Sequence, residues 1–411
     1  MKRCRNSKSV ITGLGITSAV GQGVEAFSNA LWNGNHSFAV LKREDRCYED
    51  VKFIGAEIPE LSGMDAFSRR VLRKCSYTEQ VALATVKEAW EDAELQGVNP
   101  DSTGLIIGGS NVQQRELLKI SKKYRDDAYY IPATYACSYM DTDICGLCTE
   151  EFGIHGLAYT VGGASASGQL AFLQAVQAVE SGMVDVCIAV GTLMDLSYLE
   201  CQAFRSIGAM GSDRYSQTPD QACRPFDNDR DGFIYGENCA VLVVESKESA
   251  KRRGKKAYAT VEGFGIHMDA NRNPNPSLEG EMRAIQKALE DAELESSQID
   301  YINPHGSGSK IGDQIELEAL KSCGLNHAYI NATKSITGHG LSAAGAVELV
   351  ATVLQMKEGK LHPTRNLLNP IDTSFHWVQE SALDYTIQNA ISMSIGFGGI
   401  NTAVCLSAIC K

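Results

Sequence analysis

The sequence contains no apolar run close to the roughly 20 residues that a membrane-spanning helix needs. This excludes a membrane-spanning helical role. The opening MKRCRNSKSVITG has no signal-like apolar stretch, so the expected location is cytoplasmic. Proline is scarce, with 10 residues in 411, and no low-complexity or Pro-rich linker interrupts the chain. Positive charge is also in deficit: 38 Lys and Arg against 50 Asp and Glu give a net charge of -12, which argues against nucleic acid as the main partner. Cys145 and Cys148 form a lone CxxC with no second pair at zinc-binding spacing, so no metal site is expected. The 13 cysteines are an odd number scattered over a long chain, which predicts reduced and mostly buried thiols.

What is present is a large hydrophobic fraction, 44%, and abundant glycine, 38 residues. The length suits two domains or one duplicated unit. Buried strands are predicted at 9–16, 105–110, 184–191 and 240–246, and a second series begins at 257–266. Helices are predicted near 23–33, over 67–95, after Ser165, and at 278–293, 312–322 and 342–358, with further strands at 299–305, 328–333 and 392–399. This alternation predicts an α/β fold with helices on both faces of the sheets. Residues 111–155 read as an insertion of loops and short helices. Each series opens on a strand ending in Gly-x-Gly, Gly13 and Gly15 and then Gly263 and Gly265, and each holds a small-residue helix near Ser165 or Ser342. That parallel suggests a duplication, with halves at 1–256 and 257–411.

Four segments carry candidate chemistry. In YTVGGASASGQLAF, Ser165 lies at a strand-to-helix turn, where backbone N–H groups and the helix N-terminus favour developing negative charge. A serine there also serves as a plain helix cap. The G-x-S-x-G hydrolase elbow fails because Ser167 stands in the last position. In NPHGSGSKIGDQIE, His305 ends a strand, and the small turn Gly306–Ser309 allows close approach of an extended ligand, with the Ser307 and Ser309 hydroxyls free to bond amides. Asp313 and Glu316 read as structural partners. In NATKSITGHGLSAAGAVE, Lys334 and His339 flank another turn; a lysine in such apolar company needs a carboxylate, and Glu316 and Glu348 are on offer. SIGFGGIN presents a glycine-rich turn with Phe397 as its large side chain. Two basic clusters, Arg69, Arg70, Arg73 with Lys74, and KRRGKK at 251–256, read as solvated surface.

Together these motifs resemble the β-ketoacyl-ACP synthases, most closely the KAS II-like enzymes and their polyketide relatives. The resemblance covers nearly the whole chain: ITGLGITSAVGQG, RPFDNDRDGFIYGENCAVLVVE, HGSGSKIGD, KSITGHGLSAAGAVE and GFGGIN occur in the family's order. It implies the duplicated thiolase fold, five-layered α-β-α-β-α, and a homodimer. It implies catalytic roles for Ser165, His305, Lys334 and His339, pantetheine contacts at Ser307, Ser309, Ile395 and Phe397, and support from Asp313, Glu316 and Glu348. No cofactor is implied beyond the phosphopantetheine that carries the substrate on an acidic acyl carrier protein. For that partner Arg69, Arg70, Arg73 and Lys74 become a docking patch.

Four residues depart from the family pattern. Ser165 stands where the family has its nucleophilic cysteine. Ser307 and Ser309 replace threonines, Lys310 replaces a common proline, and Ile395 replaces a bulky phenylalanine. A serine hydroxyl is far harder to ionise than a thiol, so acyl loading is expected to be lost. Decarboxylation needs only stabilisation of the enolate oxygen, which His305 and His339 can supply. The sequence is thus similar to a subgroup with serine at the nucleophile position in polyketide β-branching cassettes, which turns malonyl-ACP into acetyl-ACP for an HMG-CoA synthase-like partner. The competing readings are a non-catalytic partner resembling a chain-length factor and a condensing enzyme that uses Ser165.

Overall fold

The computed structural model describes residues 9–409. Eleven strands form a continuous path through one sheet: β1 (Ser9–Ser18), β2 (Thr103–Gly108), β3 (Ala158–Val161), β4 (Val186–Gly191), β5 (Asn238–Ser246), β6 (Ala259–Met268), β7 (Tyr301–Asn303), β8 (Tyr329–Ile330), β9 (His376–Trp377), β10 (Asn389–Gly396) and β11 (Ile400–Ala408). Their spatial order is β9-β8-β7-β10-β11-β6-β1-β5-β4-β2-β3. Two residue pairs alone, Val10 with Thr260 and Ile11 with Ala259, join β1 to β6 at the centre.

Outward from that joint the two sides repeat each other. On one side β1 pairs antiparallel with β5 and β5 with β4, and β4, β2 and β3 then run parallel. On the other, β6 pairs antiparallel with β11 and β11 with β10, and β10, β7 and β8 then run parallel. Even the irregularities match: the ladder slips between Ile11 and Gly13 and again between Val261 and Gly263.

The paired Gly-x-Gly strands have a packing cause. A Cβ added to Gly15 would lie 2.3 Å from the carbonyl of Thr85, and one added to Gly265 would lie 2.0 Å from that of Ala284. Those carbonyls belong to helices α1 (Tyr77–Asp92) and α4 (Leu278–Ala292), which rest directly on the strand backbones. Each helix also caps its bulge: Leu14 N–H donates to Asp92 at 2.8 Å, and Phe264 N–H donates to Asp291 at 3.0 Å.

Three apolar cores define five layers. The first lies outside one half-sheet, where α1 and α2 (Asp143–Phe152) pack on Ile107, Ile188 and Val243. The central core holds α3 (Ser167–Glu180) and α6 (Ala344–Glu358) between the half-sheets, reaching Ile106 and Leu242 on one side and Ala390 and Leu406 on the other. The third places α4 and α5 (Lys310–Ser322) against Ile302, Ile391 and Cys405. This is the thiolase-like layering. It explains why α3 and α6 are apolar on most faces: each is covered on both sides.

Several local expectations change. The helix expected over 67–95 is broken: a short turn at Arg69–Leu72 ends before Ser76, which caps α1 through a reciprocal box with Glu79. The C-terminal segment makes two strands, because the GFGG turn folds β11 back on β10. The 111–155 stretch holds the expected loops and short helices, and it also enters the core, since Ile144, Cys145 and Cys148 of α2 are core residues. Burial pushes both of those thiols up, which suits packing rather than redox work. KRRGKK is less solvated than its composition suggests: Arg253 pairs with buried Glu245 at 2.9 Å, and Lys255 reaches Glu94 at 3.1 Å. Among the described residues no helix is long and apolar enough to cross a membrane.

Candidate active site

Ser165 sits in a single tight turn, residues 164–166, between β3 and α3. Ala164 before it has φ of 48°, a left-handed conformation that costs a non-glycine residue about 1–2 kcal/mol. Ser167 holds this elbow. Its hydroxyl accepts from Gly163 N–H at 2.9 Å and donates to Ala164 O at 2.7 Å. The serine that spoils the hydrolase motif is therefore the brace of the turn. The Ser165 carbonyl accepts from the Ser394 hydroxyl at 3.2 Å, but the Ser165 hydroxyl has no partner among the described residues.

The structure brings Ser165, His305, His339, Ser307, Ser309, Ile395 and Phe397 onto the wall of one cleft. His305 follows β7, and the rings of His305 and His339 lie 5.2 Å apart at 79°. Both rings are buried and held well below the ordinary imidazole value. Burial is the larger cause and the Lys334 cation the next for each. They are therefore neutral, and their tautomers follow from their neighbours. Leu341 N–H donates to His339 Nδ1 at 3.1 Å, so the His339 proton is on Nε2. Lys334 Nζ, which has only donors, lies 3.4 Å from His305 Nδ1, so His305 also carries its proton on Nε2. The site thus presents two neutral N–H donors.

Lys334 is 2% exposed and anchors this arrangement. It bonds the His305 carbonyl and pairs with Glu348 on α6. Of the two carboxylates on offer, Glu348 takes the lysine. Burial pushes Glu348 up to about 7 while Lys334 pulls it back. Glu316 instead accepts from the N–H groups of His305 at 2.5 Å and Gly306 at 2.8 Å. Asp313 accepts from Gly308 N–H at 3.0 Å and from Phe226 N–H at 2.7 Å. Ser309 caps α5 by accepting from Gly312 N–H at 3.2 Å. The distinctive RPFDNDRDGF segment is a brace for the same turn: Arg230 donates to the carbonyls of Ser309 at 3.3 Å and Lys310 at 2.6 Å.

The GFGG turn packs on the serine elbow, where a Cβ on Gly396 would lie 2.2 Å from the Gly163 carbonyl. Phe397 extends from it and meets Phe204 with ring centres 6.2 Å apart. Sequence reasoning missed Phe204, Phe233, Asp269 and Glu281, which line the same cleft. Phe233 lies inside the RPFDNDRDGF motif. Glu281 left only the trace of an acid at a core-facing helix position. The two basic clusters differ sharply. Arg69, Arg70, Arg73 and Lys74 are exposed and form no ion pair among the described residues, whereas Arg252, Arg253 and Lys255 of KRRGKK are each paired with an acid.

The model of the β-ketoacyl synthase N-terminal domain matches residues 7–250, and that of the C-terminal domain matches residues 258–368. A Bacillus subtilis protein described as a polyketide biosynthesis malonyl-ACP decarboxylase, PksF, is 58% identical over all of this chain and 99% of its own length. A 3-oxoacyl-[acyl-carrier-protein] synthase 2 from Coxiella burnetii is 31% identical over 97% of this chain and 98% of its own. Among solved structures, the ishigamide ketosynthase/chain length factor superposes with TM-score 0.90 at 26% identity, covering both chains completely. A type II ketosynthase complexed with its acyl-carrier protein superposes at 0.86 with 27% identity, again over both full chains. By its two matching domain models and its full-length relatives, this chain belongs to the β-ketoacyl synthase family.

Proposed function

We propose that the chain converts malonyl-ACP to acetyl-ACP and carbon dioxide in polyketide biosynthesis, without condensation. One observation carries the reading: the nucleophile position holds a hydroxyl with no base bonded to it, beside two neutral imidazole N–H donors. A serine nucleophile needs a hydrogen-bonded base to act, and neither histidine bonds it. The 58% identity to PksF supports the same conclusion.

In this reading His305 and His339 donate their Nε2–H groups to the thioester oxygen of malonyl-ACP. As the carboxylate leaves as carbon dioxide, its bonding electrons pass into the enolate, whose oxygen the two donors stabilise. A proton taken up at the α-carbon gives acetyl-ACP. Lys334 is a positioning residue: it holds the His305 tautomer, and Glu348 balances its charge. Asp313 and Glu316 hold the His305 turn in shape. Ser307, Ser309, Ile395 and Phe397 line the passage for the pantetheine arm.

The acidic carrier protein docks on the unpaired patch of Arg69, Arg70, Arg73 and Lys74. The chain works as a homodimer of two thiolase-like halves, 1–256 and 257–411, in the cytoplasm. Its product passes to an HMG-CoA synthase-like partner. The test is to incubate the folded protein with malonyl-ACP and follow the carrier by intact mass. Conversion to acetyl-ACP is expected. Persistence of malonyl-ACP, or an acyl ester on Ser165, would overturn the reading.

A further inference from the structure

The turn that carries His305 runs from the depth of the cleft to its mouth. His305 is buried, Ser307 and Ser309 are half-buried, and Lys310 and Ile311 are exposed. His305, Ser307, Ser309 and Ile311 all line the cleft, so Lys310 stands on its rim between two lining residues. Among the described residues the charged groups of the wall itself are acids alone, Asp269, Glu281 and Glu316. Three cations adjoin wall residues along the chain: Arg205, Arg272 and Lys310. Arg205 is committed elsewhere: it donates to the Lys52 carbonyl at 3.0 Å and lies over the Phe53 ring at 4.4 Å. Arg272 and Lys310 are exposed and form no ion pair among the described residues. In a chain of net charge -12, two free cations beside one cleft mark where an anion is welcome.

The fold does not need the Lys310 ammonium. Lys310 is the first residue of α5, where the helix dipole disfavours a cation. The proline common at this position in related sequences is pre-organised for a helix start, and lysine gives that up. The backbone beneath the side chain is nevertheless fixed, because Arg230 donates to the Lys310 carbonyl at 2.6 Å and Ser309 caps the helix. Arg272 projects from a turn that is also tied: Asn273 N–H donates to Asn271 Oδ1 at 2.9 Å. A pantetheine arm with its thioester at the two histidines and its length along Ser307 and Ser309 leaves the cleft past Lys310. Its outer end is a phosphate, which is anionic at neutral pH. We propose that Lys310, with Arg272, forms a cationic mouth that binds the phosphate of the carrier-bound arm. This rests on the carrier-bound substrate of the proposed function.

The test compares Lys310→Pro, which removes the charge, with Lys310→Arg, which keeps it. The backbone accepts the proline, because Ser309 is extended at φ -70° and ψ 136°, as a residue before proline must be. Binding of 4'-phosphopantetheine and of pantetheine, measured by calorimetry, requires no catalysis. The unmodified protein should prefer the phosphorylated form by about fivefold, and salt should reduce the preference. Lys310→Pro should bring the preference below about twofold, and Lys310→Arg should retain it. Arg272→Gln should lower it as well. Pantetheine itself should bind equally to all four proteins, which a misfolded variant would not do. An unchanged preference in Lys310→Pro, or an equal loss with pantetheine, overturns the proposal. Coenzyme A carries a phosphate at the same place, so holo-carrier and coenzyme A are titrated side by side. A loss confined to coenzyme A also overturns it. Lys310-dependent binding of the phosphorylated arm in a protein that releases no carbon dioxide would support the mouth and refute the decarboxylase reading instead.

Discussion

The elbow before α3 and the elbow before α6 are the same piece of backbone used twice. Each has a non-glycine residue in the left-handed region, Ala164 at φ 48° and Leu341 at φ 52°, then a single tight turn and a long buried helix. Each helix also packs on the other elbow's helix through a glycine near its start, Gly168 and Gly345. They differ in what they show to the cleft. The first presents Ser165, half-buried, with a free hydroxyl. The second buries its equivalent, Ser342, which donates to Thr192 O at 2.7 Å. It presents His339 instead, fixed by the N–H of strained Leu341. The strained elbow is therefore a feature of the duplicated scaffold, and chemistry depends on which residue near it faces the cleft. An elbow with a serine is not by itself a nucleophile site.

The largest effect should come from the lysine below the second elbow. Lys334→Met leaves Glu348 buried without its partner and should cost about 3 kcal/mol of stability in denaturant unfolding. A negligible loss would mean that the ion pair does not hold the histidines. Next, His339→Ala removes one of the two N–H donors and should lower kcat for malonyl-ACP by about 10²–10³ while the protein stays folded. Neither imidazole should contribute an inflection near pH 6.5 to the rate of the unmodified protein, because burial and Lys334 keep both neutral well below it.

The glycine contacts test the equivalence of the elbows. A Cβ at Gly168 would lie 2.9 Å from Ser342 O, and one at Gly345 2.7 Å from Gln169 Cβ. Gly168→Ala and Gly345→Ala should each destabilise by about 1–3 kcal/mol, and a large difference between them would break the symmetry. The smallest effect separates the two serines. Ser342→Ala should cost about 1 kcal/mol for its lost hydrogen bond, while Ser165→Ala should change the melting temperature little and keep most of the decarboxylase rate. Loss of activity in Ser165→Ala would give the first elbow a chemical role after all.

Much of the layered fold was legible because its causes are local. The strand-helix alternation, the paired Gly-x-Gly strands and the apolar helices all follow from periodicity and from glycines where a helix lies on a strand. The break at Ser76 and the extra strand β11 were not, since a capping serine and a turn inside an apolar run leave little trace in hydropathy. At the site, His305, Lys334, His339 and Ser165 announced themselves through motifs. Ser167, Asp269 and Glu281 did not, because their meaning lies in what they touch.

The sequence by itself determined the set of reactive groups: a hydroxyl where a thiol would load an acyl chain, two histidines and a lysine. Only the tertiary structure decided their states. Lys334 chose Glu348 over Glu316, both imidazoles became neutral Nε2–H donors, and Glu281 was left buried with no hydrogen-bond partner for either carboxyl oxygen. Protonation and tautomer depend on burial and on charges and donors within a few ångströms. At this site the folded sheets bring those neighbours together from 269, 281, 305, 334 and 348, distances along the chain over which periodicity carries no information.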